Sequence, residues 1–213
     1  LTAAVKICGI RDAETARVAV EAGADYIGLV FYEQSPRHVT ITEALAVAAA
    51  VDGKAKLVGL FVDKEESALE EIAQAVKLDM LQFHGRETVE QLRAAKRFGS
   101  EIAKVIPVRE ASDLEAVDAY TNVADWLIFD TKPPRDATRP GGNGAAFDWT
   151  LLAGKDWQRP WMLSGGLNPG NVQEAIRITG AKTVDVSSGV EDRPGIKNHD
   201  LIRQFIAAAK EKV

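Results

Sequence analysis

The chain has 213 residues, 46% of them hydrophobic, which is enough to bury a full core within one domain spanning residues 1 to 213. A formal net charge of -5 argues against a nucleic-acid binder or an anionic-membrane binder, both of which favour a basic face, so an anionic ligand needs locally placed cations. One cysteine allows neither an internal disulfide nor a cysteine-rich zinc site; no apolar run approaches the ~18 residues of a membrane span, and the N-terminus lacks the layout of a signal peptide, so a reducing, cytoplasmic setting is expected.

In chain order, apolar β-branched runs alternate with Ala-rich amphipathic runs about every 26 residues. Strands are predicted at 4 to 8, 25 to 31, 56 to 62, 80 to 84, 102 to 108, 126 to 130, 160 to 164 and 183 to 187. Helices are predicted at 12 to 22, 41 to 51, 66 to 77, 88 to 98, 111 to 121, 148 to 154, 170 to 179 and 198 to 211. Capping boxes are expected at Thr40 with Glu43, Ser67 with Glu70, and Ser112 with Glu115, and helix stops at Gly23, Gly99 and Gly180. Eight strand-helix units without a linker predict a closed (β/α)8 TIM barrel, an α/β fold; an open doubly wound sheet is the alternative, and it seldom needs so many regular units.

In such a barrel the loops after the strands share one face, so the polar residues at strand ends converge there. Cys8 ends the first strand, where its thiol can act as base or nucleophile, helped by a nearby cation, or pack as an inert buried group. Lys6 shares the direction of Cys8 one layer lower, and closure of the barrel puts it beside Asp185 on the last strand, so a Lys6 to Asp185 pair is expected beneath the mouth. Arg37 offers a planar fork for a carboxylate, though a solvated surface Arg is the plainer reading of the residue alone. His84 ends the fourth strand, where a structural histidine is the commoner reading. Asp63 reads as a helix cap, and His38 and His199 as surface residues. Asp130 ends an apolar strand, an environment that favours the protonated form a general acid needs, though a turn-forming Asp is the plainer alternative.

Ser164, Gly165 and Gly166 follow the seventh strand, and Ser187, Ser188 and Gly189 the eighth. Small residues in both loops let backbone N-H groups approach an anion, and two such loops at the last two strands favour a phosphate site over mere tight turns. The stretch 132 to 146 is long for a strand-to-helix loop, carries three prolines and three glycines, and reads as a lid, with a disordered insert as the alternative. No pair of His or Asp residues has metal-ligand spacing, and no dinucleotide glycine fingerprint follows the first strand.

Taken together, Lys6-Ile7-Cys8-Gly9, Ser35-Pro36-Arg37, Leu81-Gln82-Phe83-His84-Gly85, Phe129-Asp130-Thr131, Gly141-Gly142-Asn143-Gly144 with Phe147-Asp148-Trp149, Leu163-Ser164-Gly165-Gly166-Leu167-Asn168-Pro169 and Asp185-Val186-Ser187-Ser188-Gly189-Val190-Glu191 form an ordered set. The chain resembles, nearly end to end, the phosphoribosylanthranilate isomerase family of tryptophan biosynthesis. The resemblance implies an isomerase that carries out a cofactor-free Amadori rearrangement of N-(5-phosphoribosyl)anthranilate to 1-(2-carboxyphenylamino)-1-deoxyribulose 5-phosphate. It casts Cys8 as general base, Asp130 as general acid and Arg37 as the grip on the anthranilate carboxylate. His84 and Asp185 become further substrate contacts, and Gly142, Gly144, Gly165, Gly166, Ser187, Ser188 and Gly189 the phosphate-side contacts. Asn143 stands where the family more commonly has Thr or Ser.

The partner so implied is an anionic small molecule, with no nucleic acid, membrane, metal or cofactor, and either a monomer or a homodimer. Two rival readings share part of the pattern. A histidine-pathway aminoaldose isomerase would share the phosphate loops but carry a carboxylate where Cys8 stands, and a non-catalytic phosphate-ligand binder would not need both acid and base.

Overall fold

Each of the eight predicted apolar runs contains a strand, and most of the strands end where polar or glycine residues begin. The computed structural model describes residues 2–132 and 146–211. The strands are β1 (Ala4–Cys8), β2 (Tyr26–Val30), β3 (Lys56–Phe61), β4 (Met80–Phe83), β5 (Glu101–Val108), β6 (Trp126–Thr131), β7 (Trp161–Leu163) and β8 (Thr183–Val186). All neighbours pair in parallel, and β8 pairs back onto β1 with Lys6 opposite Asp185, so the sheet closes as an eight-stranded barrel.

The helices around it are α1 (Ala13–Glu21), α2 (Ile41–Val51), α3 (Glu66–Ala75), α4 (Val89–Ala95), α5 (Val117–Tyr120), α6 (Val172–Thr179) and α7 (His199–Lys210). Between β5 and β6 a 3-10 turn, Ala111–Ala116, precedes a single α-helical turn, and between β6 and β7 the described residues form only the 3-10 turn Trp149–Leu152. Both segments were expected as helices; they are shorter and tighter. After β8 the chain adds a hairpin absent from the sequence expectation, β9 (Glu191–Arg193) and β10 (Ile196–Lys197), ahead of α7. No helix among the described residues is long and apolar enough to cross a membrane.

Local capping follows the sequence in part. Thr40 and Glu43 form the expected reciprocal box, and Gly99 and Gly180 take left-handed caps. The boxes expected at Ser67 and Ser112 do not form. α3 begins at Glu66, with Glu65 and not Ser67 in the N-cap position and no side-chain cap, and Glu110 with Asp113 forms the box before the 3-10 turn. Thr88 with Gln91 adds a box that starts α4.

The barrel interior is layered. Tyr26, Val58, Met80, Ala103, Val105, Ile128 and Met162 form an apolar floor, with Ala4 packed against it. Two residues further along β1 comes Lys6, and two further Cys8, which clusters with Val30 and Leu60. The larger core lies outside, between the sheet and the helices, and includes Ile7, Leu29, Leu81, Phe129 and Val184.

At the opposite rim a repeated device ties neighbouring strands together. Asp25, Asp79 and Asp125 each stand immediately before an even-numbered strand, and their Oδ2 atoms accept from Val5 N (2.8 Å), Leu57 N (2.7 Å) and Ile102 N (2.9 Å) on the strand before it. These bonds satisfy backbone donors far from the mouth, which is a role in stability and not in chemistry. Asp125→Ala is expected to lower stability by about 1–2 kcal/mol in denaturant unfolding while leaving kcat unchanged.

Candidate active site

The mouth is built from the ends of β1, β4, β6, β7 and β8 and from the hairpin after β8. Cys8 is 5% exposed and ends β1. Its thiol fits because Gly28 lies beside it on β2: a Cβ there would come within 2.9 Å of Cys8 Sγ and of Cys8 Cα. Any larger residue at 28 therefore displaces the thiol.

Beneath Cys8 the expected ion pair is present. Lys6, fully buried, donates to Asp185 Oδ1 at 2.9 Å, and Ser164 donates to Asp185 Oδ2 at 3.3 Å. Burial opposes the charge on Lys6, but Asp185, with a further contribution from Cys8, holds the ammonium above its ordinary value. Asp185, expected as a substrate contact, thus has both oxygens engaged by protein groups one layer below the mouth.

The thiol itself departs from expectation. A nearby cation was expected to enlarge the thiolate fraction, and Lys6 and Lys197 do pull in that direction. Burial against Val30 and Leu60 is the larger influence, Asp185 adds to it, and the net effect pushes Cys8 above the ordinary thiol value. The free enzyme therefore holds Cys8 mainly as the neutral thiol near neutral pH.

Asp130 ends the barrel-lining part of β6, 7% exposed. Its Oδ1 accepts from Thr131 N at 2.8 Å, and its Oδ2 lies 3.3 Å from His84 Nε2. His84, a structural histidine by its residues alone and a substrate contact by the resemblance, thus meets the candidate acid directly. The turn that carries it is braced from below. Lys104, nearly fully buried, donates to Gly85 O (2.7 Å) and Glu87 Oε2 (2.9 Å), Glu87 Oε1 accepts from Asp63 N (2.9 Å), and Asp63 Oδ1 accepts from Arg86 N (2.6 Å). Asp63 is therefore a tie between the loops after β3 and β4 and not a helix cap.

The two Ser/Gly loops meet. Gly165 and Gly166 both take left-handed backbone, at φ +88 and +67, which glycine adopts without strain. A Cβ at 165 would strike the backbone and hydroxyl of Thr131 and come within 3.0 Å of Asp130 Oδ1, so the loop after β7 lies against Asp130. A Cβ at 189 would strike the carbonyl of Leu167, so the loop after β8 packs backbone to backbone on the loop after β7. Ser187 Oγ donates to the Cys8 carbonyl at 3.1 Å, joining that loop to the end of β1. Ser188 opens the 3-10 turn Ser188–Val190. Gly142 and Gly144, the other expected phosphate-side residues, lie outside the described residues, as does most of the expected lid.

Arg37 is 4% exposed, and one edge of its guanidinium is already committed: Nε to Glu191 Oε1 (2.7 Å) and Nη2 to Glu191 Oε2 (2.8 Å). The sequence did not anticipate this partner. A guanidinium carries five N-H donors, and Glu191 uses two of them, so the Nη1 edge is the one left for a ligand carboxylate. Arg37 and Lys197 together hold Glu191 below the ordinary carboxylate range, against the effect of its burial.

The family model described as N-(5'phosphoribosyl)anthranilate (PRA) isomerase matches residues 5–208. The chain belongs to the N-(5'-phosphoribosyl)anthranilate isomerase family. It is 52% identical over 207 residues to the N-(5'-phosphoribosyl)anthranilate isomerase of Paramagnetospirillum magneticum, covering 97% of this chain and 96% of the relative. The family member from Rhodospirillum centenum is also 52% identical, over 96% of this chain and 97% of its own length. Among solved structures, the phosphoribosyl anthranilate isomerase from Thermotoga maritima superposes with a TM-score of 0.88 at 38% identity, covering 99% of this chain and all of that one. A family structure in complex with reduced 1-(o-carboxyphenylamino)-1-deoxyribulose 5-phosphate matches with a TM-score of 0.85 at 37% identity, over 99% of this chain and 100% of that one.

Proposed function

We propose that this chain is a phosphoribosylanthranilate isomerase of L-tryptophan biosynthesis, converting N-(5-phosphoribosyl)anthranilate to 1-(2-carboxyphenylamino)-1-deoxyribulose 5-phosphate within a single barrel domain. The observation that carries the reading is the placement of Cys8 and Asp130 at the C-terminal ends of β1 and β6, on opposite sides of one barrel mouth, in a chain of this family.

Asp130 donates a proton to the furanose ring oxygen, and the C1-O bond breaks to give an iminium. The cationic nitrogen acidifies the C2 proton, which Cys8 removes as thiolate. The positive charge of the iminium beside the thiol offsets the burial that raises its pKa in the free enzyme, so the thiolate fraction is largest when the intermediate is present. The resulting enaminol takes a proton at C1 as its C2 hydroxyl gives one up, leaving the ketone. Asp130 regains a proton and Cys8 loses one before the next turnover, so protons balance.

The substrate's two anionic ends suit the two ends of the mouth. The free edge of Arg37 faces the carboxylate in this reading, and the joined backbones of Gly165, Gly166, Ser188 and Gly189 take the phosphate. Arg37→Ala is expected to raise KM roughly 10- to 100-fold, the loss of a charged hydrogen-bond pair, with a smaller change in kcat. An unchanged KM rejects the carboxylate role.

A steady-state assay of the purified chain with N-(5-phosphoribosyl)anthranilate and identification of the product tests the assignment. Formation of the 1-deoxyribulose product supports it. Turnover of the histidine-pathway aminoaldose with none of the anthranilate substrate rejects it, as does binding of either without turnover.

A further inference from the structure

The hairpin after β8 brings a buried cation to the mouth that neither the proposed acid nor the proposed base accounts for. The Lys197 side chain is 3% exposed, and its Nζ lies among three acceptors: Glu191 Oε1 (2.8 Å), the Ser187 carbonyl (2.9 Å) and Ser187 Oγ (3.3 Å). From Glu191 the network runs to Arg37 through two bonds, and from Ser187 Oγ to the backbone carbonyl of Cys8 at 3.1 Å. The hairpin is seated closely, since a Cβ on Gly195 would strike the carbonyl of Pro36, next to Arg37.

Charge arithmetic shows what the ammonium contributes. Arg37 and Glu191 alone form a neutral pair, which has little attraction for a carboxylate; with Lys197 the cluster holds two cations against one anion. We propose that Lys197 is a positioning residue for this reaction: it neutralises Glu191 so that Arg37 keeps its charge for the substrate carboxylate, and it braces Ser187 against Cys8. This rests on the function proposed above. The groups that face the thiol are Lys6 on β1, Asp185 on β8 and Lys197 on β10, and the two lysines favour its ionised form while Asp185 opposes it. Burial lowers the pKa of Lys197, and Arg37 adds to the effect, while Glu191 and Cys8 favour its charge.

Because the chain has a single cysteine, the thiolate can be titrated directly by its ultraviolet absorbance, with Cys8→Ser as the blank, independently of turnover. The test compares wild type, Lys197→Met, Lys197→Arg and Lys197→Met/Glu191→Gln in that titration, in steady-state kinetics with N-(5-phosphoribosyl)anthranilate, and in thermal unfolding. Lys197→Met is expected to raise KM and lower kcat/KM about 10- to 100-fold, from the lost charge and the displaced loop, and to move the Cys8 titration to higher pH. Lys197→Arg restores both. The double variant, which leaves no unpaired carboxylate and keeps the test open if Lys197→Met does not fold, recovers part of the KM but not the titration. Unchanged KM and titration in a folded Lys197→Met or in the double variant overturn the proposal, as does a lowered thermal midpoint with unaltered kinetics. If KM and titration shift as stated while Cys8→Ser turns over at the wild-type rate, the base role of Cys8 falls and the role of Lys197 stands.

Discussion

Cys8→Ala is expected to lower kcat about 10²- to 10⁴-fold, the usual contribution of a positioned general base, with KM within a few-fold of wild type. The reason lies in geometry. The thiol occupies a slot between Gly28, Val30 and Leu60, and the groups assigned to the carboxylate and phosphate lie on other strands, so its removal leaves the binding surface intact. Cys8→Ser separates chemistry from volume, because a serine hydroxyl fills the slot but does not ionise near neutral pH. Asp130→Asn is expected to cost a similar factor, since the amide keeps an oxygen for Thr131 N but has no acidic proton to give. Steady-state kinetics on the three variants, with substrate affinity measured separately, checks both.

The largest effect on stability is expected at Lys6. Lys6→Met removes the ammonium from a fully buried pair and leaves Asp185 with Ser164 alone, so unfolding free energy is expected to fall by about 3–5 kcal/mol, the cost of an uncompensated buried charge. For a chain of this length that corresponds to a thermal midpoint lower by roughly 10 °C. Lys6→Met/Asp185→Leu is expected to recover most of the loss, because two apolar side chains replace the pair without leaving a charge behind. The pH dependence follows from the direction of the shift. Lys6 is held above its ordinary 10.5, so its stabilisation is fully present below that value and is lost as pH rises through the higher folded value. Denaturant unfolding of wild type and both variants, extended into the alkaline range, reads these effects.

The barrel was legible in the sequence because it rests on periodicity. Each strand alternates or runs apolar over a few residues, and the eightfold recurrence leaves few architectures. The Lys6 to Asp185 pair was legible for the same reason: a period of two along β1 and closure onto β8 are enough to set the lysine opposite the aspartate. Local signals were less dependable where tertiary contacts intervene. Ser67 and Ser112 carry the right spacing for capping boxes, but Glu65 takes the N-cap position of α3 and Asp113 turns to Glu110.

At the site, the strand-end residues could be named, but their partners could not. Glu191 sits 154 residues from Arg37, and nothing in either segment marks the pairing. Lys197 falls in a short polar stretch after the last strand that reads as surface loop. The one available signal was Pro194-Gly195 between two short runs, a turn pattern that would have predicted the hairpin. The direction of the thiol shift was also out of reach, because it depends on how closely Val30 and Leu60 enclose Cys8 against the pull of two lysines.

The central claim is that Cys8 removes the C2 proton of the opened sugar. Single-turnover rates with N-(5-phosphoribosyl)anthranilate carrying deuterium or protium at C2, on wild type and Cys8→Ala, test it most directly. The expected result is a primary isotope effect in wild type and no reaction on that timescale in Cys8→Ala; wild-type rates in Cys8→Ala with the isotope effect retained would contradict it.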